Sequence, residues 1–427
     1  MDRFPPDFLF GVATSSHQIE GNNASSDWWA FEQEPGRIEN GHRSGRACDF
    51  WNRYPEDVAL MKSLGFQAHR LSIEWSRVEP ERGRYSEEAI ERYRRILQAH
   101  REAGIKTFAT LHHFTLPRWV AESGNLLADG NLRAFEAYAA RTVRALRGLV
   151  DAWNTINEPT VWAYMGFLRG EFAPGLKSFR TWGKALKAAL RAHGLAYHAA
   201  KAEDPHTPAG IVANVPVYRP DHRWDPGDYL VRWLADGLFN RPVVKALREG
   251  VLKVPGAPKE RAPALEGSSD FIGVNYYHRI WTCWWRLRNP RFGAPGERLS
   301  QMGWASYPDG LLEALRRYGA LGKPLYVTEN GVGTEDDGWR AEFLRDHLAR
   351  VLQARAEGLD VRGYFHWSYI DNFEWSRGWV PRFGLVAFDP ETLERRPKPS
   401  ARLYGEVARR RELPPTGFSP GSADSSR

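Results

Sequence analysis

Eight short runs rich in β-branched and aromatic residues recur along the chain: Phe8–Ala13, Phe66–Ile73, Lys106–His112, Val150–Ile156, Ala209–Val215, Asp270–Asn275, Pro324–Thr328 and Val361–Trp367. Between them, apolar residues return at three- and four-residue spacing, as at Ile90, Tyr93, Ile96 and Leu97, which marks helices with one buried face. The clearest helical stretches are Glu87–Ala103, Leu132–Leu146, Thr181–Ala202, Gly310–Tyr318 and Trp339–Ala356. Strands alternating with helices predict a parallel sheet, and eight is the number that closes a (β/α)8 barrel. The expected fold class is therefore α/β, a single (β/α)8 TIM barrel whose site lies at the C-terminal ends of the strands. Residues 1–412 read as one barrel domain. The small, polar, proline-bearing segment 413–427 reads as a disordered tail.

Composition narrows the function. The 427 residues carry 59 Lys+Arg against 52 Asp+Glu, a net charge of +7. No basic run is sustained: the densest clusters, Arg409–Arg411 and Glu394–Lys398, are short or mixed with acids and proline, which argues against a nucleic-acid partner. Two cysteines, Cys48 and Cys283, form neither a disulfide framework nor a metal-ligand spacing. The N-terminus shows no signal-peptide pattern, and no apolar stretch approaches the ~20 residues of a membrane span. The expectation is a soluble, cytoplasmic protein with no membrane partner. Aromatics reach 13% of the chain, including 18 Trp. Flat apolar rings suit the C–H faces of sugars as well as a core.

Barrel proteins place their chemistry where the strands stop. The runs end at Ser16-His17-Gln18, Arg70 with Glu74, His112-His113, Asn157-Glu158, Asn214, Asn275-Tyr276-Tyr277, Glu329-Asn330 and Trp367. Glu158 ends the fourth run, and Pro159 is expected to hold it extended by disfavouring the α conformation. Glu329 ends the seventh, with Gly331 expected to permit the turn that follows. Strands four and seven lie across a barrel mouth from each other, so two carboxyls far apart in sequence can face one sugar ring. Glycoside hydrolysis needs that layout, one carboxyl protonating the leaving oxygen while the other attacks or activates water. The competing reading pairs each glutamate with a rim arginine.

Four separated motifs make the pattern specific: Phe8-Leu9-Phe10-Gly11-Val12-Ala13-Thr14-Ser15-Ser16-His17-Gln18-Ile19-Glu20-Gly21, Asn157-Glu158-Pro159, Thr328-Glu329-Asn330-Gly331, and Trp367 through Trp375. In this order they resemble the retaining β-glycosidases of glycoside hydrolase family 1, over about Phe8 to Gly405. The resemblance implies an exo-acting enzyme with Glu158 as acid/base and Glu329 as nucleophile, their carboxyls ~5–5.5 Å apart. It implies split ionisation, Glu329 charged and Glu158 protonated at the start, with Arg70 and Tyr277 bound to the nucleophile. Gln18, His113, Asn157 and Glu374 are implied to bond the terminal sugar's hydroxyls, with Asn275 beside them. Trp367 is implied as an apolar platform, with Trp375 and Phe383 closing the far edge.

Adjacent strand residues point to opposite faces, so His112 and His113 do not read as a metal pair. The chemistry requires neither metal nor cofactor, and the implied partners are small-molecule β-glycosides or oligosaccharides. Glu74 reads as the partner of a neighbouring arginine. Departures from the family pattern fall on the leaving-group side: Thr160 stands where many relatives have tryptophan, and His113-Phe114-Thr115-Leu116-Pro117 replaces His-Trp-Asp-Leu-Pro. Trp162, Trp281, Trp284 and Trp285 are candidates for a rebuilt aglycone platform, and the Trp281–Trp285 cluster equally for a subunit contact. Two alternatives remain. A 6-phospho-β-glycosidase is disfavoured because Glu374 would face the phosphate, and a catalytically silent sugar-binding barrel because both glutamates stand in intact motifs.

Overall fold

The computed structural model describes residues 3–287 and 289–414. The segment expected to be a disordered tail lies, apart from Leu413 and Pro414, outside the described residues. The eight barrel strands are β1 Leu9–Ala13, β2 Ala68–Ser72, β3 Lys106–His112, β4 Ala152–Asn157, β5 Ala209–Asn214, β6 Phe271–Asn275, β7 Leu325–Asn330 and β8 Val361–Trp367. They pair in parallel in chain order, and β1 closes on β8 with Leu9 opposite Gly363 and Ala13 opposite Trp367. Each expected run matches one of these strands, the fourth extending one residue beyond its expected end to Asn157. The seventh extends beyond its expected end at Thr328 to include Glu329 and Asn330.

The helical layer follows from the amphipathic stretches. Glu87–Ala103 forms a helix with those bounds, capped at Ser86, whose side chain accepts from the Ala89 N–H, and ended by Gly104 in the left-handed conformation. Its buried residues Ile90, Tyr93, Ile96 and Leu97 pack into the core between barrel and helices. The other four expected helices appear as Asp129–Leu146, Phe179–Glu203, Pro308–Gly319 and Asp337–Ala356. The described ends of the chain meet, with the Phe4 N–H donating to the Arg411 carbonyl at 2.8 Å.

The barrel interior is divided by chemistry. Its lower half is an aromatic plug in which Phe108 packs against Phe365, Tyr326 and Phe271 at ring separations of 4.8, 5.0 and 6.0 Å. Each large ring so buried contributes ~1.5–3 kcal/mol. Gly11 makes room for it, since a Cβ there would meet the Phe365 ring at 2.6 Å. Above the plug the inward residues turn polar, with Arg70, Asn157, Asn275 and Glu329 all buried. The plug floors the site and keeps these polar groups in a cup closed from below.

Candidate active site

The two glutamates are aimed by interruptions in the sheet. Pairing of β4 with β5 shifts register between Asn154 and Asn157. Pairing of β7 with β6 shifts between Val327 and Glu329, and with β8 between Val327 and Asn330. An inserted residue breaks strict in–out alternation and re-aims the side chains that follow. Asn157 thereby points into the mouth, and so do consecutive Thr328 and Glu329.

Glu158 departs from the expected extended conformation: its φ and ψ are 46° and 62°, in the left-handed region. Pro159 does disfavour the right-handed helix for the residue before it. The chain must nevertheless turn at once from β4 into the helix Pro159–Ala163, and the left-handed conformation supplies that turn at a cost of about 1–2 kcal/mol. The Glu158 N–H is held by the Val212 carbonyl at 2.9 Å, and its own carbonyl accepts from the Trp162 N–H at 3.0 Å. Gly331 is required for a different reason than the turn: a Cβ there would lie 1.8 Å from the Trp367 carbonyl oxygen.

A continuous chain of hydrogen bonds joins the two carboxyls. Arg70 Nη1 donates to Glu329 Oε1, and Arg70 Nη2 donates to Asn157 Oδ1 at 2.6 Å. Asn275 Nδ2 reaches both Asn157 Oδ1 at 3.2 Å and Glu158 Oε1 at 2.8 Å. Asn214 Nδ2 donates to the same Glu158 oxygen at 3.0 Å, and Thr328 Oγ1 orients Asn275 by donating to its Oδ1 at 2.6 Å. On the far side, the Tyr277 hydroxyl donates to Glu329 Oε2 at 2.7 Å. Glu329 thus faces a guanidinium and a phenol, whereas Glu158 faces only amides. Burial, then the charge of Glu329, pushes the Glu158 carboxyl up to about 8, against the amides of Asn275 and Asn214. Glu158 is thus built to keep its proton at neutral pH.

The remaining expected residues converge on the same cup. His113 is a neutral ring, its pKa driven down by burial and by Arg70. Its Nε2 lies 3.2 Å from Asn157 Nδ2, while its buried Nδ1 has no partner among the described residues. That nitrogen is free to meet a hydroxyl. His113 stacks between Trp367 and Trp375, at ring separations of 6.0 and 6.1 Å. Its neighbour His112 instead packs outward against Phe135 and Trp162, as expected of one histidine in the mouth and one in the wall. Gln18 Nε2 donates to Asn372 Oδ1 and the Phe373 carbonyl, both at 2.9 Å, and lies 3.3 Å from Glu374 Oε2. Gln18 therefore ties the chain after β1 to the chain after β8. Phe383 meets Tyr277 edge-on at 6.1 Å. Burial, then Glu329, raises the Glu374 carboxyl to about 8. At neutral pH, then, charge repulsion of a phosphate by Glu374 is weaker than expected.

Two further expectations are corrected. Glu74 has no arginine partner among the described residues: its carboxyl accepts from the hydroxyls of Ser16, Ser76 and Thr115, at 2.8 to 3.1 Å. Thr115, one of the departures from the family pattern, is thus explained as a donor to Glu74. Trp162 is no rim platform, being 1% exposed and packed on His112 and Phe167. Asn214 and Thr328, not assigned to the site from sequence, belong to the hydrogen-bond network. Asn214 ended the fifth run, so its position was visible though its role was not.

A parallel barrel whose mouth holds two differently supported glutamates, floored by aromatics and walled by tryptophans, defines a glycoside-cleaving enzyme. Residues 1–413 match the description Glycosyl hydrolase family 1. β-Glucosidase A of Thermotoga maritima is 32% identical over 96% of this chain and 99% of its own. Among solved structures, the β-glycosidase from Pyrococcus horikoshii is 42% identical, with a TM-score of 0.90 over 97% of this chain and 96% of its own. The Thermotoga maritima β-glucosidase in complex with glucoimidazole is 30% identical, with a TM-score of 0.91 over 97% of this chain and 100% of its own. The chain belongs to glycosyl hydrolase family 1 and is a glycoside hydrolase of the β-glucosidase type.

Proposed function

We propose that the protein is a retaining, exo-acting β-glycosidase that removes terminal non-reducing β-D-glucosyl residues, and galactosyl or fucosyl residues, by double displacement. The carrying observation is the asymmetry of the two carboxyls: Glu329 is charge-paired with Arg70 and bonded by Tyr277, while Glu158 is buried among amides and pushed up to about 8. In this reading Glu329 attacks the anomeric carbon as Glu158 protonates the departing oxygen, and a covalent glycosyl-enzyme forms. Glu158 then removes a proton from the water that releases the sugar. His113, Asn157, Gln18, Asn275 and Glu374 bond the sugar's hydroxyls while Trp367, Trp375 and Phe383 cover its C–H faces. That T. maritima β-glucosidase binds glucoimidazole supports a glucose-shaped pocket here.

The test is hydrolysis of matched p-nitrophenyl β-D-glucoside, β-D-galactoside, β-D-fucoside and β-D-glucoside 6-phosphate by the protein and its Glu329→Gln variant. Turnover of the unphosphorylated set, absent in the variant, is expected and ranks the sugars. Turnover only of the 6-phosphate would establish the phospho-glycosidase reading, and none at all with folded protein the silent barrel.

The same geometry sets the pH dependence. Glu158 must be protonated for the first step, so kcat/KM should fall as pH rises through about 8. Asn214 bonds the charged form of Glu158 and lowers its pKa. Asn214→Ala should therefore move this alkaline limb upward, by about half a unit to one unit. A downward shift in the pH–rate profile would show that Asn214 does not act on the ionised acid/base.

A further inference from the structure

Two connections leave the barrel mouth as short strands that pair in parallel, Val217–Pro220 after β5 and Arg279–Thr282 after β6. Pro220 lies opposite Thr282, and the Asp221 N–H donates to the Thr282 carbonyl at 2.9 Å. The residues just past this ribbon are thereby held side by side, Asp221 and His222 on one strand and Cys283 on the other. A carboxylate oxygen, a ring nitrogen and the thiol sulfur of these three lie within 4.8 Å of one another. The spacing of Cys48 and Cys283 in the sequence could not show this, because the partners come from a different connection.

The surroundings prepare the donors. Asp228, fully buried, places its Oδ2 2.9 Å from His222 Nδ1 and accepts the His222 backbone N–H with the same oxygen at 2.9 Å. Its Oδ1 accepts the Trp284 N–H at 2.9 Å. This bond fixes the proton on Nδ1 and leaves the Nε2 lone pair free, as carboxylates behind metal-bound histidines do. Trp285 covers the His222 ring at 4.7 Å. Asp221 Oδ1 accepts from Arg291 Nη2, while its Oδ2 lies 3.9 Å from Arg286, beyond hydrogen-bond distance. Cys283 is buried and free.

We propose that Asp221, His222 and Cys283 bind a divalent ion of zinc-like chemistry, separate from the sugar site, which staples the two rim connections together. Sulfur, imidazole nitrogen and carboxylate oxygen form a donor set that suits zinc over calcium or magnesium. The His222 side chain is 45% exposed, so an ion has an entry path and a water completes four-coordination. On binding, the Cys283 S–H bond breaks, its proton passes to solvent and a sulfur–metal bond forms; no electron is transferred. Arg291 and Arg286 offset part of the charge of Asp221, thiolate and Asp228, which makes this a moderate site rather than a tight one.

Cobalt(II) titration of the chelator-treated full chain tests the assignment. One equivalent should bind with a near-ultraviolet thiolate-to-cobalt charge-transfer band, and zinc(II) should displace it. Cys283→Ser should abolish the band and Cys48→Ser should keep it, with aryl-glucoside hydrolysis unchanged in Cys283→Ser as the sign of an intact fold. Asp228→Asn retains all three ligands and should weaken cobalt binding about 10–100-fold. Absence of the band in the unaltered protein, its survival in Cys283→Ser, or its loss in Cys48→Ser would overturn the proposal. Should Cys283→Ser fail to fold, His222→Ala decides, since full cobalt affinity in that variant would also overturn it.

Discussion

Glu329→Gly is expected to lose on the order of 10⁴- to 10⁶-fold in kcat on p-nitrophenyl β-D-glucoside, and to recover turnover when azide is supplied. The side chain removed is the one that Arg70 and Tyr277 hold from two sides. Both donors stay in place around the space it leaves, and the guanidinium provides the charge that draws in a small anion. Azide then attacks the anomeric carbon from that face while Glu158 still protonates the leaving group. One displacement replaces two, so the product is the α-glycosyl azide, identified by its anomeric proton in an NMR spectrum. An inert variant with native circular dichroism, or a β-azide product, would remove Glu329 from the nucleophile's role. Because the change also leaves Arg70 buried without its partner, a loss of stability of about 3–5 kcal/mol is expected alongside. Glu329→Gln keeps a hydrogen-bond acceptor there and separates the chemical effect from the structural one.

The architecture was legible because a buried parallel strand and an amphipathic helix have different apolar periods. All eight barrel strands fall within or against their expected runs, and the polar residues at the ends of those runs do face one mouth. What periodicity misses is whatever breaks it. The register shifts in β4 and β7 leave no mark on composition, yet they turn Asn157 and Glu329 inward. The left-handed Glu158 was hidden because proline reports which conformation its predecessor loses, not which one the next turn demands. Glu74 was misassigned for a related reason. Its hydroxyl donors, Ser16, Ser76 and Thr115, arrive from three separate segments, and a lone acid in a sequence invites an arginine that the fold does not bring. Trp162 shows the converse: a rim position in sequence became a wall position once its helix turned toward His112.

Glu158→Gln should split the reaction by leaving group. With 2,4-dinitrophenyl β-D-glucoside the phenolate leaves without help, so the first step should stay near the unaltered rate. With poor leaving groups it should fall by roughly 10²- to 10⁴-fold, the usual contribution of a general acid. The second step loses its base for every substrate. A burst of dinitrophenolate should therefore precede a slow steady state, with the glycosyl-enzyme visible as a mass increase of the intact protein. Equal loss across leaving groups, without a burst, would contradict the assignment. The alkaline limb near pH 8 should vanish with the titrating group, and its origin bears on the two roles proposed for this one carboxyl. Burial is the first cause of the raised pKa of Glu158 and the charge of Glu329 the second. In the proposed double displacement Glu329 becomes an ester, its charge disappears, the Coulombic part of the shift is lost, and Glu158 becomes more acidic. The bonds from Asn275 and Asn214 then favour its ionised form, at the stage where it must take a proton from water. Trapping the intermediate with a slow 2-fluoroglucoside should lower the pKa of an isotope-labelled Glu158 relative to the free enzyme; an unchanged value would mean that burial alone sets it.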